Sequence, residues 1–110
     1  GEPAMIAIVV RCGQQPERVE LPDDQDAAFK RVQELVGGYV ERVVLGPYDI
    51  FCDEDGIAKG LPMMRLGLRG TYVVLAHCLE ELAGLDDGLA GRAMLGLLLA
   101  PDLLAREAAQ

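Results

Sequence analysis

Residues 22–38, PDDQDAAFKRVQELVGG, decide the fold class, because they spell an amphipathic helix together with both of its ends. Asp23, Asp24 and Asp26 follow Pro22, where carboxylates accept the unpaired N–H groups of a first turn and sit at the positive end of its dipole. Ala28, Phe29, Val32, Leu35 and Val36 recur at helical spacing, with Lys30, Arg31, Gln33 and Glu34 on the opposite face. Gly37 and Gly38 end the helix, since Gly enters the left-handed conformation without a Cβ clash.

The flanks of this helix read as strands. Upstream, residues 5–10 are a continuous β-branched run suited to a strand covered on both faces. Residues 12–16 break it, and residues 18–21 alternate charged and apolar side chains as a returning partner. Downstream, residues 39–45 and 48–52 form two further strands around Gly46-Pro47. Asp55-Gly56 predicts a hairpin turn with positive φ at Gly56 and a short return arm over residues 57–61. Residues 63–70 are irregular and are expected as a loop over one sheet edge, and residues 71–76 form a second buried strand. From residue 89 to 100 only Arg92 is polar, which makes a helix that is apolar all round and too short to cross a bilayer. A short terminal helix is expected over residues 102–110. The expected architecture is one small α+β domain over residues 5–110, a mostly antiparallel sheet of four to six strands with two main helices. Gly1 to Ala4 read as a non-native remnant ahead of Met5.

Composition bounds the function. The 110 residues carry 18 acidic and 10 basic side chains, a formal charge of -8, which argues against direct binding to a phosphate backbone. A single His excludes any site built on two. Cys12, Cys52 and Cys78 form no C-x-x-C pair, and each lies in or beside an apolar run. Reduced thiols and the absence of a basic, apolar leader point to a cytoplasmic protein; no cofactor, metal or membrane contact is implied.

Four groups invite a chemical reading. Asp53-Glu54-Asp55-Gly56 suggests a calcium loop, but with Gly56 sixth the first and last positions are Phe51 and Pro62, which cannot ligate; a turn with solvated acids is preferred. His77 beside Cys78 suggests a base and nucleophile, yet neighbours on a strand point to opposite faces, and a hydrogen-bonded or solvated His at a strand end fits better. Gly67-Leu68-Arg69-Gly70 precedes a strand rather than a helix, the wrong order for a phosphate loop. Arg65 and Arg69 could still hold an anion, with Tyr39 or Tyr72 as an apolar wall.

Several phrases occur in a familiar order: Leu35-Val36-Gly37-Gly38-Tyr39-Val40-Glu41, then Cys52-Asp53-Glu54-Asp55-Gly56, then Lys59-Gly60-Leu61-Pro62, then Gly70-Thr71-Tyr72-Val73-Val74. Together they resemble a family of short bacterial, archaeal, phage and plasmid proteins, domain of unknown function three-eight-four-six. Its pattern runs approximately VGGYIE, NEEGK and GLPxNR, followed by an apolar strand introduced by Gly. The resemblance spans residues 5–85 and departs at two positions: Asp53 and Met64 stand where the family has Asn, leaving Arg65 without its partner. The region around residues 89–100 departs too, since family members tend to be polar and amphipathic there. The resemblance implies a fold and a mobile-element setting, and no activity.

Three functional readings follow, none of them catalytic. The first is an interaction protein, a phage- or plasmid-type accessory factor forming a homodimer through the last helix, with Leu89, Met94, Leu95 and Leu98 at the interface. The second is a domain binding a small anion or nucleotide at the Arg65 and Arg69 loop. The third is an acidic mimic of nucleic acid that occupies a basic protein partner. Enzyme function ranks last, because one His and no acid–base pair leave little to build with.

Overall fold

The computed structural model describes residues 4–99. The expectations for Gly1, Glu2 and Pro3 and for a helix over residues 102–110 lie outside the described residues.

The expected fold class is the observed one. Seven elements follow in the order β1 (Met5–Val10), β2 (Glu17–Leu21), α1 (Gln25–Val36), β3 (Val40–Leu45), β4 (Tyr48–Asp53), β5 (Tyr72–Ala76) and α2 (Asp87–Leu99). The strands form one antiparallel sheet in the order β2-β1-β5-β4-β3, so the last strand enters between two hairpins and joins them. Its register sets Val74 opposite both Ile8 and Ile50, which places three branched side chains in a row across the centre. Such cross-strand rows are where a sheet gains its packing energy.

Each face of the sheet has its own core. On one side Ala7, Val9, Phe51, Val73 and Leu75 pack against Ala28, Val32 and Val36 of α1. The capping read from the sequence is present: Asp24 accepts from the Ala27 N–H at 2.9 Å, and Gly37 closes the helix at φ 96°. On the other side Ile8, Tyr48, Ile50, Tyr72 and Val74 meet Ala90, Ala93 and Leu97 of α2. Asp86 caps α2 through the Leu89 N–H at 2.8 Å. Ala90, Ala93 and Gly96 are buried, and their small size lets this helix lie close to β1.

Three expectations between β4 and β5 fail. Residues 57–61 form no return strand, because residues 54–60 curl into consecutive turns closed by Lys59 N to Asp55 O at 2.9 Å and Leu61 N to Gly56 O at 2.9 Å. Gly56 does not have positive φ; it is Gly because a Cβ there would lie 2.7 Å from Arg69 Cβ and 3.1 Å from Arg69 O. The loop over residues 63–69 is pinned by the Met63–Arg69 bridge and covers a face of the sheet rather than an edge. Met64, Leu66 and Leu68 drive this, since they bury against the cluster under α2.

Candidate functional site

Three places carry chemistry. The first is the outward side of α2. Its inner face is spent on the sheet, while Leu95, Leu98 and Leu99 are 57%, 42% and 75% exposed on the opposite face. Spacings of three and four residues put these leucines on one stripe. Leu89 and Met94 instead flank the buried face and are half-buried against it. Leu99 was not picked out by sequence reasoning, although its spacing from Leu95 was the signal that could have found it.

The second is a cavity of about 510 Å³ between the β1–β2 turn, the Met63–Arg65 stretch and the last described turn of α2. Arg65 and Tyr72 both line it, so two of the four residues suspected of ligand binding come together. Arg11 joins them, with its Nη1 2.9 Å from Glu17 Oε2. The β1–β5 register sets Val10 opposite Tyr72 and so delivers Arg11 to this end of the sheet, a relationship the linear sequence does not display. Burial pushes the Tyr72 phenol up to about 12, opposed by the positive charge of Arg65. Arg69 and Tyr39 lie off this wall. Arg69 bends back to donate to Leu61 O at 3.4 Å, and Tyr39 is 71% exposed with its carbonyl accepting from the Glu54 N–H.

The third is a pair of buried carboxylates on β4. Alternation sends Asp49, Phe51 and Asp53 to the α1 side of the sheet. Asp53 is not solvated, as the turn reading supposed, but 5% exposed. Its Oδ2 receives Lys59 Nζ at 2.7 Å and its Oδ1 the Asp55 N–H at 2.8 Å. The Lys59 hydrogen bond holds the Asp53 carboxyl below its usual range against the opposing effect of burial. Gly38 belongs to this site, because a Cβ there would stand 2.7 Å from Lys59 Nζ. The glycine, acid and lysine of three separate phrases thus meet in one contact.

Asp49, at the other end of β4, was missed by sequence reasoning. Its Oδ1 lies 2.7 Å from His77 Nδ1, its Oδ2 accepts the Cys78 N–H at 3.0 Å, and Arg42 Nη1 stands 3.6 Å away. Arg42 also donates to the carbonyls of Cys78 and Leu79 at 2.7 and 3.2 Å. His77 therefore ends a strand in a hydrogen-bonded state and helps to tie down the chain that leaves β5. Beside this anchor a second hollow of about 430 Å³ opens between α1 and residues 79–82.

Cys12 is exposed, Cys52 buried and Cys78 half-buried, and all three are free thiols. Among the described residues no group of three or more His, Cys, Asp and Glu side chains is placed to hold a metal ion. No helix among them is long and apolar enough to cross a membrane.

No curated protein and no solved structure matches the chain. The family model for the domain of unknown function DUF3846 matches residues 5–94, and the chain belongs to that family.

Proposed function

We propose that the protein is an interaction module that pairs with a second copy of itself through the outer face of α2. The carrying observation is that Leu95, Leu98 and Leu99 stand exposed on one stripe while Ala90, Ala93 and Leu97 already satisfy the sheet. A contiguous apolar patch of this kind is uncommon on a soluble monomer, and an isologous two-fold contact is the simplest way to cover it. Leu95, Leu98 and Leu99 lie beyond the residues that the family model matches.

The test is sedimentation velocity on the wild type and on Leu95→Glu and Leu98→Glu. Both positions face away from the core, so the variants should keep the native circular dichroism spectrum and sediment as monomers. A wild type that sediments as a monomer throughout the accessible concentration range would overturn the proposal. So would variants that dimerise as well as the parent.

A further inference from the structure

The cavity between the β1–β2 turn and α2 is lined by both polar and apolar side chains. Among the polar residues, Arg65 is exposed, lines the cavity and makes no hydrogen bond or ion pair among the described residues. Tyr72 is 1% exposed, yet its hydroxyl has no hydrogen-bond partner among the described residues. The hydroxyl opens onto the cavity, where water or a ligand group can accept its proton. Met63, Leu97 and Leu98 supply apolar lining. A volume near 510 Å³ lies within the range of small-molecule sites, which are mostly apolar with a few convergent donors.

We propose that this cavity binds an amphiphilic carboxylate, a single acidic head group on an apolar chain or ring. The head accepts from the Arg65 guanidinium and the Tyr72 hydroxyl, and the body lies against Leu97 and Met63. Charge selects one negative group rather than two. Of the two arginines on the cavity only Arg65 is uncommitted, because Arg11 is paired with Glu17. The formal charge of -8 disfavours polyanions further. Planar guanidinium-to-carboxylate pairing is the strong, directional contact such a site would use.

Leu98 belongs both to the exposed stripe and to the cavity wall, but Arg65 and Tyr72 lie off α2, so the Arg65 variants test this inference separately from self-association. The experiment is a titration of isotopically labelled protein with sodium octanoate, followed by amide and methyl NMR. Sodium acetate and octanol serve as the two halves of the probe. Octanoate should give saturable shifts at Tyr72, Leu97 and Leu98, with acetate and octanol weaker by about tenfold or more. Arg65→Ala should weaken octanoate by about tenfold while leaving octanol unchanged, and Arg65→Lys should fall between. Tyr72→Phe should lose a few-fold, roughly one neutral hydrogen bond. Three results would overturn the proposal: no saturable shift at millimolar octanoate, octanol binding as tightly as octanoate, or undiminished octanoate binding by Arg65→Ala. Arg65 has no structural partner, so the variant should fold, and its unchanged amide spectrum without ligand verifies this.

Discussion

Lys59 Nζ reaches Asp53 Oδ2 at 2.7 Å past Gly38, where a side chain would block it. A Cβ at Gly38 would also lie 3.3 Å from Asp53 Oδ2, so the glycine is retained for space; its φ is not positive. Gly38→Ala should therefore lower the melting temperature by displacing the lysine rather than by straining the helix end. In a Lys59→Met background the same substitution should cost much less, since there is no ammonium left to displace. Additive melting temperatures in this double-mutant cycle would refute the spatial account.

The same pair sets an acid-sensitive component of stability. The folded-state pKa of Asp53 lies below its ordinary 3.8, chiefly through the Lys59 hydrogen bond. A depressed carboxylate contributes its stability in full above the unfolded value and loses it as pH falls through the folded one. Wild type should therefore lose stability as pH drops from 3.8 downward, and Asp53→Asn should lose less over that interval while being less stable at neutral pH. Equilibrium urea unfolding across the acid range gives both slopes, and identical slopes would count against the assignment.

What could be read from the chain and what could not divide along physical lines. The end signals of α1 are local: Asp24 and Gly37 act on backbone groups within a few residues, and both caps are where the pattern put them. Strand positions are local too, since β-branched runs announce themselves. The Asp55-Gly56 turn misled because Gly there answers to Arg69, thirteen positions on, and no short-range pattern records such a contact. The candidate site divides similarly. Arg65 and Tyr72 were visible as a loop arginine and an aromatic residue, but Arg11 enters their cavity only through the register of β1. The buried state of Asp49 is equally invisible, because its partner His77 belongs to another strand's end.

Asp49→Ala removes the acceptor for two donors at once, the His77 ring N–H and the Cys78 amide. The Cys78 amide left unpaired costs about 1–3 kcal/mol, while the exposed His77 ring and the partly exposed Arg42 turn to water and add little, so a loss of about 1–3 kcal/mol is expected. Amide exchange offers a sharper check. The Cys78 amide should exchange faster in the variant, while amides in the middle of β1 keep the protection set by global unfolding. Uniform acceleration across the sheet would mean that Asp49 supports the whole fold rather than this anchor.

The three cysteines should separate cleanly under alkylation. Burial, reinforced by Glu41, pushes the Cys52 thiol up to about 11 from an ordinary 9.0, which cuts its thiolate fraction at mild pH by about a hundredfold. Cys12 is exposed and Cys78 half-buried. Iodoacetamide at pH ~8 should label Cys12 first and Cys78 next, leaving Cys52 unlabelled until denaturant is added. Peptide mapping by mass spectrometry reads the order directly. Early labelling at Cys52 would show that β4 opens toward the β3 edge far more readily than its burial suggests.

Salt dependence separates apolar self-association from an electrostatic mode. Two protomers of formal charge -8 repel as they approach, while the α2 stripe that would join them is leucine-rich and gains nothing from counter-charges. Raising the ionic strength from about 0.05 to 0.5 M shortens the screening length from more than 10 Å to roughly 4 Å. That removes much of the repulsion without weakening the apolar contact, so the dimerisation constant should rise with salt. Sodium sulfate should strengthen it beyond the ionic-strength effect, because excluded salts favour burial of apolar surface. An acidic surface that recognised a basic partner would behave in the opposite way and release it as salt increased. A dimer of this protein that dissociates at high salt would therefore move the contact away from Leu95, Leu98 and Leu99 and onto charged residues. Arg92, exposed on the same helix beside them, would be the first position to test by charge reversal.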